Sequence, residues 1–158
     1  MRRKEREVTG FNEIADILSE CPTIRLGIQG KEFPYVVPLS FCHEIVDGKV
    51  VIWGHSAKQG LKTDLLAENN AVCVEADVFY CIEKTDMGIT TRYESIIGFG
   101  YYQAVETEKE KIRAFELMTK RYGYGDYPVG RCRGLAAANV FKIVLESITG
   151  KRNLPENK

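Results

Sequence analysis

Histidine is scarce in this chain, with His43 and His55 the whole complement, and tryptophan occurs once, at Trp53. Two imidazoles with no HExxH spacing do not spell a zinc centre, so hydrogen-bonding or structural roles are expected for both. The cysteines Cys21, Cys42, Cys73, Cys81 and Cys132 are odd in number and contain no CxxC pair. That pattern excludes a zinc ribbon and a complete disulfide framework and leaves reduced, mostly buried thiols as the expectation. No GxGxxG follows a strand, which argues against a dinucleotide-binding fold, and Ser56 has no GxSxG context for a nucleophile. Net charge is also missing: 22 basic and 22 acidic residues cancel. Composition therefore gives no case for nucleic acid or an anionic membrane, and Arg2-Arg3-Lys4 reads as a solvated terminus. No apolar run approaches the roughly 18 residues of a membrane span, and the charged start lacks a signal peptide's hydrophobic region. A cytoplasmic protein is expected.

What is present fits one small β-rich domain. At 158 residues the chain is long enough to bury about two-thirds of its unfolded surface without staples. The expected domain covers residues 1–153, with 154–158 as a frayed tail. Thr9 is placed to cap a first helix whose Phe11, Ile14, Ile17 and Leu18 recur at helical spacing, and Pro22 ends it. Residues 23–29 and 33–43 read as antiparallel strands. Asp47-Gly48 is a hairpin signal leading into residues 49–53. Residues 71–80 alternate as a strand, 83–90 read as a polar loop, and 92–107 as a long strand that Gly98 and Gly100 bend or bulge. Thr107 with Glu110 has capping-box spacing and opens a helix presenting Ile112, Phe115, Met118 and Tyr122. Residues 122–130 form an irregular loop with three tyrosines, and 138–147 a closing strand. The expectation is a mainly β (α+β) fold, a six-stranded antiparallel barrel with three peripheral helices.

The segment with most chemical content runs from Val50 to Asn69. An apolar strand, Val50-Val51-Ile52-Trp53, breaks at Gly54 and passes through His55-Ser56-Ala57-Lys58-Gln59-Gly60-Leu61-Lys62 into an amphipathic helix. Ser56 and Gln59 have capping-box spacing, and a helix start with Lys58 and Lys62 four apart on one side suits an anion. An ordinary capped surface helix is the plainer alternative. Pro34-Tyr35-Val36-Val37-Pro38-Leu39 is an apolar strand with two prolines, which belongs at an edge, a bulge, or where backbone faces a ligand. Glu75 and Glu94 read most simply as partners of Arg25 or Arg92.

These pieces, with Arg92-Tyr93-Glu94-Ser95, Ile97-Gly98-Phe99-Gly100 and Thr149-Gly150-Lys151-Arg152, occur in an order that resembles the pyridoxamine 5'-phosphate oxidase-like flavoproteins. These have an FMN-binding split barrel, and among them the nitroimidazole-resistance (Nim) proteins are the nearest in pattern. The resemblance covers residues 2 to about 153. It implies a split barrel that binds FMN, with Lys62 and Ser56 at the phosphate. Val37, Pro38, Leu39 and Ser40 would run beside the isoalloxazine, with Ser95, Lys151 and Arg152 approaching the same site. The alternative for Lys151-Arg152 is a solvated tail. His55 falls where the family places a histidine near the flavin on the substrate side, so it is the candidate catalytic residue; bracing the turn is its plainer role. A homodimer with FMN at the subunit interface is implied, as is a small planar electron acceptor such as a nitroaromatic. Vitamin B6 oxidation is disfavoured because that enzyme's arginine-rich motifs are absent. Ser40 and Phe41-Cys42 depart from the asparagine or glycine common near that position. Two other readings stay open: a flavin- or haem-binding protein without turnover, with His43 or His55 as axial ligand, and a structural protein using residues 122–130 as an interface.

Overall fold

A computed structural model describes residues 3–86, 88–132 and 134–155. Arg2 of the basic start and residues 156–158 of the expected tail lie outside them. The described residues form a single eight-stranded antiparallel sheet of β1 (Glu7–Val8), β2 (Ile24–Ile28), β3 (Tyr35–Leu39), β4 (Phe41–Val46), β5 (Lys49–Ser56), β6 (Ala71–Thr85), β7 (Gly88–Ala104) and β8 (Asn139–Asn153). Helices α1 (Phe11–Glu20), α2 (Leu61–Glu68) and α3 (Glu108–Arg121) lie against it, with a one-turn helix α4 (Gly134–Ala137) before β8.

The sheet order is β3-β2-β6-β7-β8-β5-β4, with β1 added on β8. Its first and last strands, β3 and β4, are consecutive in the chain and joined by Ser40 alone. A sheet whose two ends stand one residue apart has rolled on itself, which is the split barrel expected from the sequence. The expected single strand over residues 33–43 is thus two strands. β3 pairs only with β2, from Ile24↔Leu39 to Ile28↔Tyr35, and β4 pairs only with β5, from Phe41↔Gly54 to Val46↔Lys49. Pro38 lacks an N–H and sits, as proline should, on an edge strand. This division, and the short β1, raise the strand count from the expected six to eight.

β5 explains its own unbroken apolar run. Val50 and Ile52 point into the barrel core, while Val51 and Trp53 point outward into a second cluster beneath α3 with Ala114, Met118 and Val140. A strand covered on both faces needs no polar alternation. The barrel interior is filled by Phe41, Phe141, Ile143 and Ile96 and closed by Ile14, Ile17 and Leu18 of α1. Phe11, expected on that face, stays exposed.

Local details follow the chemistry of the chain. The Asp47-Gly48 turn has φ of 49° and 74°, left-handed values that asparagine, aspartate and glycine tolerate best. The expected irregularity near Gly100 is a bulge in which β8 carries the extra residue, Glu146, between Ser147 and Leu145. A Cβ on Gly100 would meet the Val144 carbonyl oxygen at 2.2 Å, so only glycine fits. A second bulge makes Tyr80 the extra residue of β6 and turns its hydroxyl inward to donate to Glu94 Oε2 at 2.5 Å. The polar stretch at residues 83–90 is not a loop: β6 and β7 run on as a hairpin arm, with Glu83↔Thr90 and Thr85↔Gly88 paired. Polarity there marks an arm with no third strand over it. β8 likewise continues to Asn153, so Lys151 and Arg152 are strand residues. At α1 the cap is Gly10, with no side-chain bond from Thr9, whereas Thr107 does cap α3, accepting from Glu110 N–H at 3.4 Å and donating to Glu110 Oε2 at 2.8 Å. Cys21 and Cys42 are buried and the other three cysteines half-buried, all free. Burial pushes the Cys21 and Cys42 thiols up to about 12, which leaves them unreactive.

Candidate functional site

The candidate site lies where the sheet is split. β3 and β4 part at Ser40, and the last ladder pair of β4 with β5 is Phe41↔Gly54. Beyond that pair, residues 35–39 swing away with β2, while β5 continues through His55 and Ser56 toward α2. The result is a cleft whose apex is Phe41 opposite Gly54. One lip is the free edge of β3, with backbone groups that no neighbouring strand takes up. The other lip is residues 55–62.

On the β3 lip, Val37 and Leu39 turn inward and pack on the core, whereas Pro38 and Ser40 are exposed. What Val37 and Leu39 offer to the cleft is therefore backbone, and what Pro38 and Ser40 offer is side chain as well. On the opposite lip, His55 packs at a tilt of 40° against Phe115 of α3, ring centroids 5.2 Å apart, and the residue is exposed. Burial and the neighbouring Lys62 ammonium hold the imidazole below its ordinary value, so it is neutral at pH 7. Burial also lowers Lys62, a half-buried ammonium whose charge an anion would stabilise.

The expected capping box does not form. Ser56 Oγ donates instead to the Ala57 carbonyl at 3.1 Å, and Gly60 is the helix cap, with φ of 124°. The reason is local: residues 57–60 lie outside the helix, and Gly60 accepts from Thr63 N–H at 2.9 Å and Asp64 N–H at 3.2 Å. Lys58 consequently precedes the helix and shares no helical face with Lys62. The Leu61 and Lys62 amides, in the first turn, have no intrahelical acceptor. Together with the Lys62 ammonium they are groups of the kind that hold an anion, at the end of the candidate cleft away from Phe41.

Ser95 and Lys151 are brought together on one face of the sheet, with Arg152 on the other, and none of the three stands beside Lys62. Ser95 pairs with Lys151 across β7 and β8, and with Asp77 across β6. The Lys151 ammonium lies 5.8 Å from the Tyr93 ring centre, on the outer face of the sheet. Arg152, one residue on, turns to the other face and forms an ion pair with Glu13 of α1. Two strands, β2 and β6, stand between β3 and β7. A polar band spans them on the outer face, with Arg25 bonded to Glu75 at 3.0 Å and paired to Asp77. Glu75 is thus Arg25's partner as expected, while Arg92 pairs with Glu83. Among the described residues no cluster of three or more His, Cys, Asp or Glu is placed to hold a metal ion, and no helix is long and apolar enough to cross a membrane.

Tyr122, expected on the α3 face and at the start of the 122–130 loop, has a role at the split that the sequence does not show: its hydroxyl bonds both the N–H of Phe41, at 3.1 Å, and the Phe41 carbonyl, at 3.2 Å. No local sequence signal links positions 81 residues apart.

The fold has relatives. A proposed 5-nitroimidazole antibiotic resistance protein from Bacteroides thetaiotaomicron superimposes with a TM-score of 0.79 at 24% identity, over 92% of this chain and 85% of that one. The flavocytochrome Anf3 from Azotobacter vinelandii gives 0.80 at 15% identity, over 98% and 72%. An FAD- and haem-binding protein from Mycobacterium smegmatis gives 0.75 at 17%, over 97% and 77%. At such identities these likenesses establish the fold. No curated protein sequence matches the chain. The sequence model of the pyridoxamine 5'-phosphate oxidase family matches residues 12–152, nearly the whole length, and the chain belongs to that family.

Proposed function

We propose that this chain binds FMN in the cleft between the free edge of β3 and residues 55–62, and passes electrons from it to a small planar acceptor such as a nitroaromatic. The observation that carries this reading is the parting of β3 and β4 at Ser40. It leaves an unpaired strand edge on one side of the split and, on the other, a half-buried lysine and a pair of helix-start amides without intrahelical acceptors. A ligand with a dianionic end and a flat, hydrogen-bonding ring answers both lips at once. In this reading Lys62 and the first-turn amides of α2 hold the phosphate, with Ser56 beside them. The backbone of Val37, Pro38, Leu39 and Ser40 borders the ring, and the neutral His55 holds a proton donor near the acceptor. When bound, the flavin supplies the electron-transfer chemistry; the protein supplies position and exclusion of water. The flavocytochrome and the FAD- and haem-binding protein among its structural relatives support a flavin as the ligand class.

A second copy of the chain completes this reading. The outer face of β6 and β7 exposes large apolar side chains on both sides of the Glu75–Asp77 band, Ile82 at 65% and Ile89 at 79% on the hairpin arm and Phe99 at 56% beyond the band, with Phe79, Ile97 and Tyr101 on the same face. So many exposed large apolar side chains on one face mark an interface. A twofold dimer across it carries Ser95 and Lys151 of one chain toward the cleft of its partner and accounts for their distance from Lys62.

The test is the absorption spectrum of the purified protein and titration of the flavin-free protein with FMN. Flavin bands and a stoichiometry of one FMN per chain are expected, with turnover of a nitro compound in the presence of a reductant. A Soret band would assign haem instead, and a colourless protein that ignores added FMN would end the proposal. Light scattering should give twice the 17.9 kDa chain mass.

A further inference from the structure

On the side of α2 away from β3, a separate cavity of about 430 Å³ opens between the helix, the ends of β7 and β8, and the start of α3. Lys58, Thr63, Asn70, Tyr102, Lys111 and Asn139 supply its polar lining. No carboxylate lines it, whereas the grooves beside Trp53, Phe99 and Leu61 each contain at least one. Lys111 forms no ion pair with any described residue.

Two hydroxyls on this cavity lack acceptors. Tyr102 is 8% exposed; its oxygen accepts from Asn139 Nδ2 at 2.9 Å, and no described residue accepts its hydrogen. Thr63 Oγ1 is buried without any hydrogen-bond partner among the described residues. A helical threonine ordinarily returns its hydroxyl to the carbonyl four residues earlier. For Thr63 that carbonyl belongs to Gln59, before the helix begins, so the bond is not made. Buried hydroxyl hydrogens without acceptors are costly and uncommon. Two of them around one cavity, with the Lys111 ammonium unpaired among the described residues, Lys58 also in the lining and no acid there, form the donor set of an oxyanion site.

We propose that this cavity binds the phosphate group of a small phosphorylated molecule, at a site separate from the flavin cleft. The phosphate oxygens accept from Thr63 and Tyr102 hydroxyls and from the two lysines. The cavity is larger than a bare phosphate, and its remaining wall of leucine and alanine side chains takes a compact organic group. Lys58 and Lys62 thus serve different anions, Lys62 on the cleft and Lys58 on this cavity. The proposal stands on this cavity alone and does not require flavin to bind.

The test is titration with inorganic phosphate and with phenyl phosphate, followed by amide chemical shifts, on the flavin-free protein and again after saturation with FMN. Shifts should centre on Thr63, Lys111 and Asn139 and persist in the FMN-saturated sample. Lys111→Ala and Tyr102→Phe should each weaken phosphate about fivefold or more, with FMN affinity unchanged. Tighter binding of phenyl phosphate identifies an ester as the ligand class, and equal binding a free oxyanion. Failure to bind FMN would sink the flavin reading and leave this titration intact. The oxyanion site is overturned if about 50 mM phosphate moves none of these amides, if FMN abolishes the shifts, or if Lys111→Ala, a cavity-rim change that leaves the core untouched, binds as the unaltered protein does.

Discussion

The Tyr122 hydroxyl, just past the C-terminus of α3, accepts the Phe41 N–H at 3.1 Å and reaches the Phe41 carbonyl at 3.2 Å, so one side chain fixes both backbone groups of the residue at the apex of the cleft. Arg121 beside it places its guanidinium 4.3 Å from the centre of the Phe41 ring and donates to the carbonyls of Leu18, at 2.8 Å, and Cys21, at 2.6 Å. The end of α3 thereby ties the end of α1 to the point where β3 and β4 part.

Tyr122→Phe is expected to loosen that point. Losing bonds to two partly buried backbone groups should cost about 1–3 kcal/mol of stability. Because Phe41 sets the direction in which β3 leaves, FMN affinity and the visible circular dichroism of bound flavin should change too. A lower melting temperature with unchanged affinity and dichroism would reduce Tyr122 to a brace for the fold.

Lys62→Ala should weaken FMN binding by about 1.5–3 kcal/mol, tenfold or more, as expected for a charge-assisted phosphate bond. Lys58→Ala should leave it nearly unchanged, since Lys58 precedes the helix and lines the other cavity. Fluorescence titration of the flavin-free protein decides between them; equal losses would place the phosphate elsewhere.

His55→Ala separates chemistry from architecture. If the neutral imidazole donates its N–H to the acceptor as charge develops there, turnover per bound FMN should fall about 10²- to 10³-fold while FMN affinity persists. If packing against Phe115 is its whole contribution, melting temperature falls and turnover per bound flavin holds.

His43 predicts an acid-sensitive fold. Its imidazole lies under α1 with Nδ1 buried and unpartnered, and burial, reinforced by the Arg121 cation, holds it below its ordinary value. The unfolded chain therefore binds a proton that the folded chain refuses, so this contribution is intact above the unfolded-state value near 6.5 and is lost as pH falls toward the lower folded-state value. Melting temperature measured from pH 7 to 5 should decline by an amount that His43→Leu reduces. The slope removed is at most about 1.4 kcal/mol per pH unit. An unaltered pH profile in His43→Leu would assign the acid sensitivity to another group.

Local chemistry determined much of this molecule from its sequence. The Asp47-Gly48 hairpin, the capped start of α3, glycine opposite the β8 bulge and proline on an edge strand all depend on a few neighbouring residues, and each appears where the chain specifies it. The ordered motifs from Pro34 to Arg152 were enough to indicate the split barrel. Tertiary structure decided what depends on neighbours distant in sequence. Whether residues 33–43 are one strand or two is settled by which partners β2 and β5 offer, and the division at Ser40 follows from the rolling of the whole sheet. Ser56 had the spacing of a cap, yet Gly60 took the position once residues 57–60 were needed to cross from β5 to α2. Lys62 and Ser95 share a resemblance to one family site but lie on different parts of the chain. The cavity of Thr63, Tyr102 and Lys111 draws on α2, β7 and α3, whose residues show no common spacing. Spacing encodes what a single element presents, and only packing brings separate elements to the same point.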